Sequence, residues 1–455
     1  MEKANYKSVA ENPCHMCMPM GGVLAFKGLE NSMVLVHGSQ GCSTYMRLHT
    51  VGHFNEPVDI ASSSLNEKGT VYGGESSLRK GLDNVIKVYQ PQVIGVLTTC
   101  LAETIGEDIE GITARYLQEK GLNNLAVIPV STPGYGGSHS EGYWIAVKAI
   151  LTSLVEKSKK HGKINVIIPN LSPADIREIK RLLQVMEISY TLLPDISDTL
   201  DRPYSKIYTK IPMGGTKIEE IKKMSGAVAT IQFGATVDEE LSPGKYLEEK
   251  FGVPLYNLPL PMGIRNTDLL IKTLQEISGR QVPDSLLQER GRLQDCMVDS
   301  HKYNMEGRSV IFGEPELVYG ITGTCLENGI YPVVIATGSG NKKMKQLLEP
   351  QLAKLDKPAQ VLAEGDFMEI AQECGLKGVN LAIGHSGGKF LTEKHGLPLV
   401  RIGFPIHDRM GGSRILSLGY NGTINFLDRL TNTLLERKLS AYRQICYDKY
   451  YQVGC

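Results

Sequence analysis

The stretch MVLVHGSQGCSTYMR (33–47) decides the fold. Met33 to Val36 form an uninterrupted apolar run, the pattern of a strand buried on both faces. Gly38 and Gly41 then permit a tight turn, and a helix-like segment follows. The same unit recurs along the chain. VIGVL (93–97), AVIPV (126–130), INVIIP (164–169), AVATIQF (227–233), SVIFG (309–313), VVIATG (333–338), VNLAIG (379–384) and LVRIGF (399–404) read as strands. Between them lie amphipathic segments such as ADIREIKRLLQVM (174–186), ELVYGITGTCLENG (316–329) and NKKMKQLLEPQLAKL (341–355). Buried strands alternating with helices predict parallel sheets covered on both faces, an α/β fold. Sites in such sheets lie at the C-terminal ends of the strands.

The chain has 455 residues, room for roughly three units of about 150 residues each. The expected division is 1–160, with a C-terminal helix over 416–455 packing back on it, then 161–285, then 286–415. Lys plus Arg and Asp plus Glu both number 49, so the formal net charge is zero and no basic excess points to nucleic acid. Hydrophobic residues make up 42% and charged residues 22%, as in soluble globular proteins. The start, MEKANYKSVAENP, has no apolar core of a secretory signal. No apolar run reaches the length of about 18 residues that a membrane span needs. Nine cysteines in such a chain point to a reducing cytoplasm and away from a disulfide framework. Cys296, Cys325, Cys374 and Cys446 fall in helix-like patterns and read as small buried hydrophobes.

Three other cysteines stand in glycine-rich turns at expected strand ends: Cys17 in NPCHMCMPMGG, Cys42 in HGSQGCSTY and Cys100 in TTCLAETIGED. Three thiolates delivered from strand ends can hold one face of an iron–sulfur cluster. Three ligands leave such a cluster short, so the pattern also implies a partner chain. Each turn taken singly reads equally as an ordinary strand-to-helix connection around a buried cysteine. The lone CxxC of Cys14 and Cys17 lacks the second pair of a zinc ribbon. Of the two, Cys17 is the expected ligand, beside Pro19 and Gly21, with Cys14 a spare. A helix starting near Cys100 would favour its thiolate, while Glu103, Glu107 and Asp108 read as caps or solvated acids. The loop TPGYGGSHSEGYW (132–144) is expected beside the same site, with Ser138 and His139 as hydrogen-bond donors to cluster sulfurs or simply as turn residues. His385, His407, Asp408 and Arg409, in IGHSGGKF and RIGFPIHDRMGG, are polar enough to line a pocket. GSGNK and GGESS lack the GxxxxGK[ST] pattern, so direct ATP binding is not supported.

Taken together, NPCHMCMPMGG, HGSQGCSTYMR, HFNEPVDIASSSLNEKGTVYGG, TTCLAETIGED, TPGYGGSH, ERGRLQDCMVDSH, IGHSGGKF, RIGFPIHDR and LGYNG resemble the β-type subunit of nitrogenase component 1 and its relatives. The match runs from residue 12 to about 422, nearly the whole chain. The resemblance implies three Rossmann-like domains, each a parallel sheet flanked by helices, and an α2β2 assembly with an α-type partner. It implies that Cys17, Cys42 and Cys100 are the β-side ligands of an [8Fe-7S] P-cluster-like relay. It further implies an ATP-hydrolysing iron protein as electron donor, with the substrate-reducing cofactor in the α-type chain, so that no catalytic residue is expected here. Two departures stand out. Gly134 occupies the place of a serine that catalytic β chains carry beside the cluster, and Met410, Gly411 and Gly412 replace a histidine-rich run. They resemble the β-type chain of the scaffold that matures the iron–molybdenum cofactor, which would carry a [4Fe-4S] cluster, or nitrogenase-like reductases of other substrates. That scaffold is the alternative to a reductase acting on dinitrogen or another refractory bond, such as a carbon–sulfur bond. The complete cysteine triplet favours the reductase.

Overall fold

A computed structural model describes residues 14–122 and 124–451. The signal-peptide expectation for MEKANYKSVAENP lies outside the described residues. Among the described residues thirteen strands form three sheets, and every neighbouring pair of strands is parallel. The first sheet contains β1 (Ser32–His37), β2 (Ala61–Ser62), β3 (Val93–Thr98) and β4 (Ala126–Val130), in the order β2-β1-β3-β4. The second contains β5 (Ile164–Ile167), β6 (Tyr190–Leu193), β7 (Thr230–Phe233) and β8 (Leu255–Leu258), ordered β6-β5-β7-β8. The third contains β9 (Arg308–Phe312), β10 (Tyr331–Ala336), β11 (Gln360–Leu362), β12 (Leu381–Gly384) and β13 (Leu399–Arg401), ordered β11-β10-β9-β12-β13. The α/β class and the three helix-flanked parallel sheets are as the sequence predicts.

The nine strands expected from apolar runs are all present. The four that escaped, β2, β6, β8 and β11, are two to four residues long and all lie at sheet edges. An edge strand needs only one partner and little burial, so it leaves a faint apolar signature. The central strands β1 and β3 are buried at every residue.

Each sheet reverses its winding at one point. The neighbours β1 and β3 send their following strands to opposite sides, and β5 with β7 and β9 with β12 do the same. Loops leaving such a pair diverge and open a crevice at the strand ends.

The helix Met18–Lys27 is buried along its whole length and packs against the helix His139–Leu154. Their backbones touch, and glycine makes this possible. A Cβ on Gly21 would lie 1.8 Å from the His139 carbonyl oxygen, and one on Gly142 would lie 2.0 Å from that of Met18. The C-terminal helix Gly419–Tyr450 lies mainly along the helix Asp284–Asn304, with further contacts to Ile264–Ser278 and Pro173–Val185. It was expected to return onto the first unit. Its entry is instead fixed by Asp175, whose Oδ1 accepts from the backbone N–H groups of Ser417 at 2.7 Å and Leu418 at 2.9 Å.

Candidate metal centre

The site begins with the pairing of β1 and β3, whose last residues His37 and Thr98 stand side by side. The turns that follow diverge, and they carry Cys42 and Cys100. Cys42 lies in the first turn of the helix Gln40–Phe54, and Cys100 opens the short helix Cys100–Thr104. Cys17 arrives from the N-terminal segment and caps the helix Met18–Lys27, where a β-bridge joins it to Ser138. All three cysteines therefore sit at helix starts, beside backbone N–H groups that the helix leaves without an internal partner. The sequence suggested this for Cys100 alone. Pro19 at the head of the Met18–Lys27 helix was the overlooked cue for Cys17.

The sulfurs of Cys17 and Cys100 meet at Gly134, in the loop after β4. A Cβ built on Gly134 would lie 2.7 Å from the Cys17 Sγ and 3.1 Å from the Cys100 Sγ, so the two sulfurs are no farther apart than those distances together allow. The Gly134 N–H donates to the Cys100 Sγ at 3.1 Å. The Ser39 hydroxyl faces the Cys42 Sγ at 3.7 Å. Burial pushes the Cys17 thiol up to about 11, and the negative charges of Cys100 and then Cys42 add to the shift. Cys42 and Cys100 thus both lie near enough to Cys17 to make its ionisation costlier. Cys17 and Cys42 are half-buried and Cys100 is exposed. Among the described residues, no group of three or more His, Cys, Asp or Glu side chains is arranged to hold a metal ion.

Cys14 points elsewhere. Its thiol is 2% exposed and packs with Val310, Phe312 and Phe367 of the third unit. Burial pushes it up to about 12, against a bond from the Gly313 backbone. Ser138 and His139 do not face the sulfurs. The Ser138 side chain caps its helix with Glu141, and the His139 ring bonds to Met16 and Glu314. Glu103 is engaged by Thr98 and Ser131, and Asp108 caps the next helix.

Of the later polar residues, His385 and Asp408 are held within the fold, whereas His407 and Arg409 are exposed. The His385 ring faces the Cys14 carbonyl at 3.3 Å. Asp408 pairs with Arg401 at 2.6 Å and accepts from Ser386. Its burial alone would raise its pKa, but the Arg401 and Ser386 bonds hold it at about 2. Arg409 and Met410 are exposed, and the His407 ring stands 6.3 Å from that of His49. Among the described residues no helix is long and apolar enough to cross a membrane.

Residues 17–435 match the family described as "Nitrogenase component 1 type Oxidoreductase". The nitrogenase molybdenum-iron protein beta chain of Clostridium pasteurianum is 36% identical, over 95% of this chain and 94% of that protein. The nitrogenase vanadium-iron protein beta chain of Trichormus variabilis is 34% identical, over 93% of this chain and 93% of that one. Among solved structures, "Nitrogenase Cp1 at pH 6.5" superposes with a TM-score of 0.92 at 35% identity, covering 100% of this chain and 98% of that chain.

Proposed function

This chain belongs to the nitrogenase component 1 type oxidoreductases, and we propose that it is the relay-bearing β-type subunit of a nitrogenase-like, ATP-dependent reductase. The observation that carries the proposal is the meeting of Cys17 and Cys100 at Gly134, with Cys42 on the adjoining turn. A Cys17 thiol whose ionisation the neighbouring sulfurs of Cys100 and Cys42 make costlier suits a shared cationic core, and thiolates are the usual protein ligands of iron–sulfur clusters. The donor set fits such a cluster.

In this reading Cys17, Cys42 and Cys100 bind iron. The Gly134 N–H steadies the Cys100 sulfur, and the Ser39 hydroxyl faces that of Cys42. Hydrogen bonds to sulfur and the burial of the surrounding walls tune the potential. When bound, the cluster supplies one-electron transfer at low potential. Three thiolates from one chain leave the remaining ligation to an α-type partner, which fits a P-cluster-like [8Fe-7S] centre at the subunit boundary of an α2β2 assembly. An ATP-hydrolysing iron protein as donor and a cytoplasmic location complete the proposal.

The cofactor-maturation scaffold, with a [4Fe-4S] cluster, is the second reading. Gly134 and the Met410–Gly412 run support it, whereas the β chains named above support the reductase. An anaerobic redox titration of the purified complex, followed by paramagnetic resonance, separates the two. Oxidised-state signals of a multi-iron relay support the proposal. Simple four-iron signals, or no iron and sulfide at all, refute it.

A further inference from the structure

The His139 ring lies between two parts of the fold that are far apart in sequence. Its Nδ1 accepts a hydrogen bond from the Met16 backbone N–H at 3.1 Å. The His139 backbone N–H returns a bond to the Met16 carbonyl at 2.9 Å. A nitrogen that accepts from an N–H carries no proton, so the ring proton sits on Nε2. That Nε2–H points at Glu314 Oε1, 2.9 Å away. The same carboxylate oxygen accepts from the Asn170 amide at 2.9 Å. Both His139 and Glu314 are buried, at 4% and 9% exposure, and the Phe404 ring lies 6.0 Å from the imidazole.

The placement has a purpose for Cys17. Met16 is the residue before Cys17, and Ser138, next to His139, is the bridge partner of Cys17. Glu314 follows Gly313, the residue that bonds the Cys14 thiol. A single turn after β9 thus grips the Cys14–Cys17 segment at both ends: directly through Gly313, and through the Glu314–His139 pair. Asn170, from the loop after β5, joins the second sheet to the same carboxylate.

We infer that His139 is a positioning residue whose Nδ1 fixes the backbone immediately before Cys17, and so the direction of that thiol. The inference rests on the cluster reading above for its meaning in electron transfer. Its geometry is testable without iron.

The first measurement is the rate of iodoacetamide alkylation of Cys17 in the folded, metal-free chain, read by mass spectrometry, with Cys42 as internal control. His139→Ala removes a buried hydrogen bond on each side of the ring. It is expected to raise the Cys17 rate about tenfold, the equivalent of about 1.4 kcal/mol, and to leave Cys42 unchanged. Because His139→Ala can unfold the chain, two smaller changes divide the ring's two bonds. His139→Asn keeps an acceptor near Nδ1 for Met16, and should stay near the native rate. His139→Gln reaches toward Glu314 but abandons Met16, and should behave like alanine. Equal rates for the Asn and Gln variants, or a Cys17 rate unchanged in a folded His139→Ala chain, overturn the inference.

The second measurement is the midpoint potential of the assembled, iron-loaded complex. It is expected to shift for His139→Gln and not for His139→Asn. Absence of any cluster from the native complex would sink the relay reading while the alkylation arm still decides the role of His139.

Discussion

Replacing Gly134 by alanine tests the convergence of the two sulfurs directly. The backbone there is not in the left-handed region, so alanine brings no conformational strain and its effect is steric. The new Cβ would lie 2.7 Å from the Cys17 sulfur and 3.1 Å from the Cys100 sulfur, whereas ordinary contact begins at 3.4 Å. Cys17 must therefore retreat from 2.7 Å to at least 3.4 Å, and Cys100 must also yield. Neither thiol is at the end of a long flexible side chain, and Cys17 is pinned by its bridge to Ser138. Overpacking of this kind costs about 1–3 kcal/mol, which corresponds to roughly a 5- to 150-fold weaker hold on a shared metal core. The assay is anaerobic incubation of the purified complex with an iron chelator, following iron per chain over time. Faster iron loss in Gly134→Ala, with retained helix content, is the expected result. Gly134→Ser has the same Cβ plus a hydroxyl, so any difference between the two variants reports what that oxygen reaches. Native iron retention in Gly134→Ala would refute the claim that Cys17 and Cys100 grip one object across Gly134.

Cys42→Ala is expected to lower iron content and subunit assembly together, as judged by iron analysis and sedimentation; a fully loaded, intact assembly would contradict it. Cys14→Ser places a hydroxyl in an apolar pocket of the third unit. It should lower the melting midpoint, at a cost of about 1–3 kcal/mol, while iron content stays native, and lost iron would make Cys14 a ligand after all. Glu316 is 3% exposed and its Oε2 has no hydrogen-bond partner. Burial raises it from 4.5 to about 7, against the bonds from Thr236. Its folded-state value is the higher one, so the unfolded chain releases the proton first. Stability from this group is full below about pH 4.5 and falls as pH rises to about 7. The loss amounts to about 3 kcal/mol. Glu316→Gln should flatten the pH dependence of denaturant unfolding across that window, and an unchanged slope would count against it.

The sequence made the central strands legible because burial on both faces writes an unbroken apolar run. It left β2, β6, β8 and β11 nearly silent because an edge strand of two to four residues makes few demands on its side chains. The cysteine turns stood out because glycine and a thiol after an apolar run form a local pattern. The contact of Gly134 with two sulfurs did not, since its partners come from the N-terminus and from the turn after β3. The sequence leaves His139, beside Ser138, either as a donor to sulfur or as a turn residue. Its true partner, Glu314, is 175 residues away, and no local periodicity encodes such a pairing. Cys14 and Cys17 are three residues apart yet face different cores. The CxxC spacing alone does not separate them; Pro19 and Gly21 single out Cys17, and the packing of the third unit shows where Cys14 goes.

The lacing of the N-terminal segment to the third sheet has a consequence for how the protein is made. Cys42 and Cys100 follow adjacent strands and take their places once the first sheet has formed. The stretch from Cys14 to Cys17 is held by the turn after β9, and by His385, which lies 371 residues from Cys14. The bridge to Ser138 seats Cys17 within the first unit, but a ribosome must release most of the polypeptide before the ties from Gly313, Glu314 and His385 lock the segment ahead of it. On the cluster reading, full loading would follow completed synthesis, and chains truncated before residue 308 should hold iron less well although all three cysteines are present.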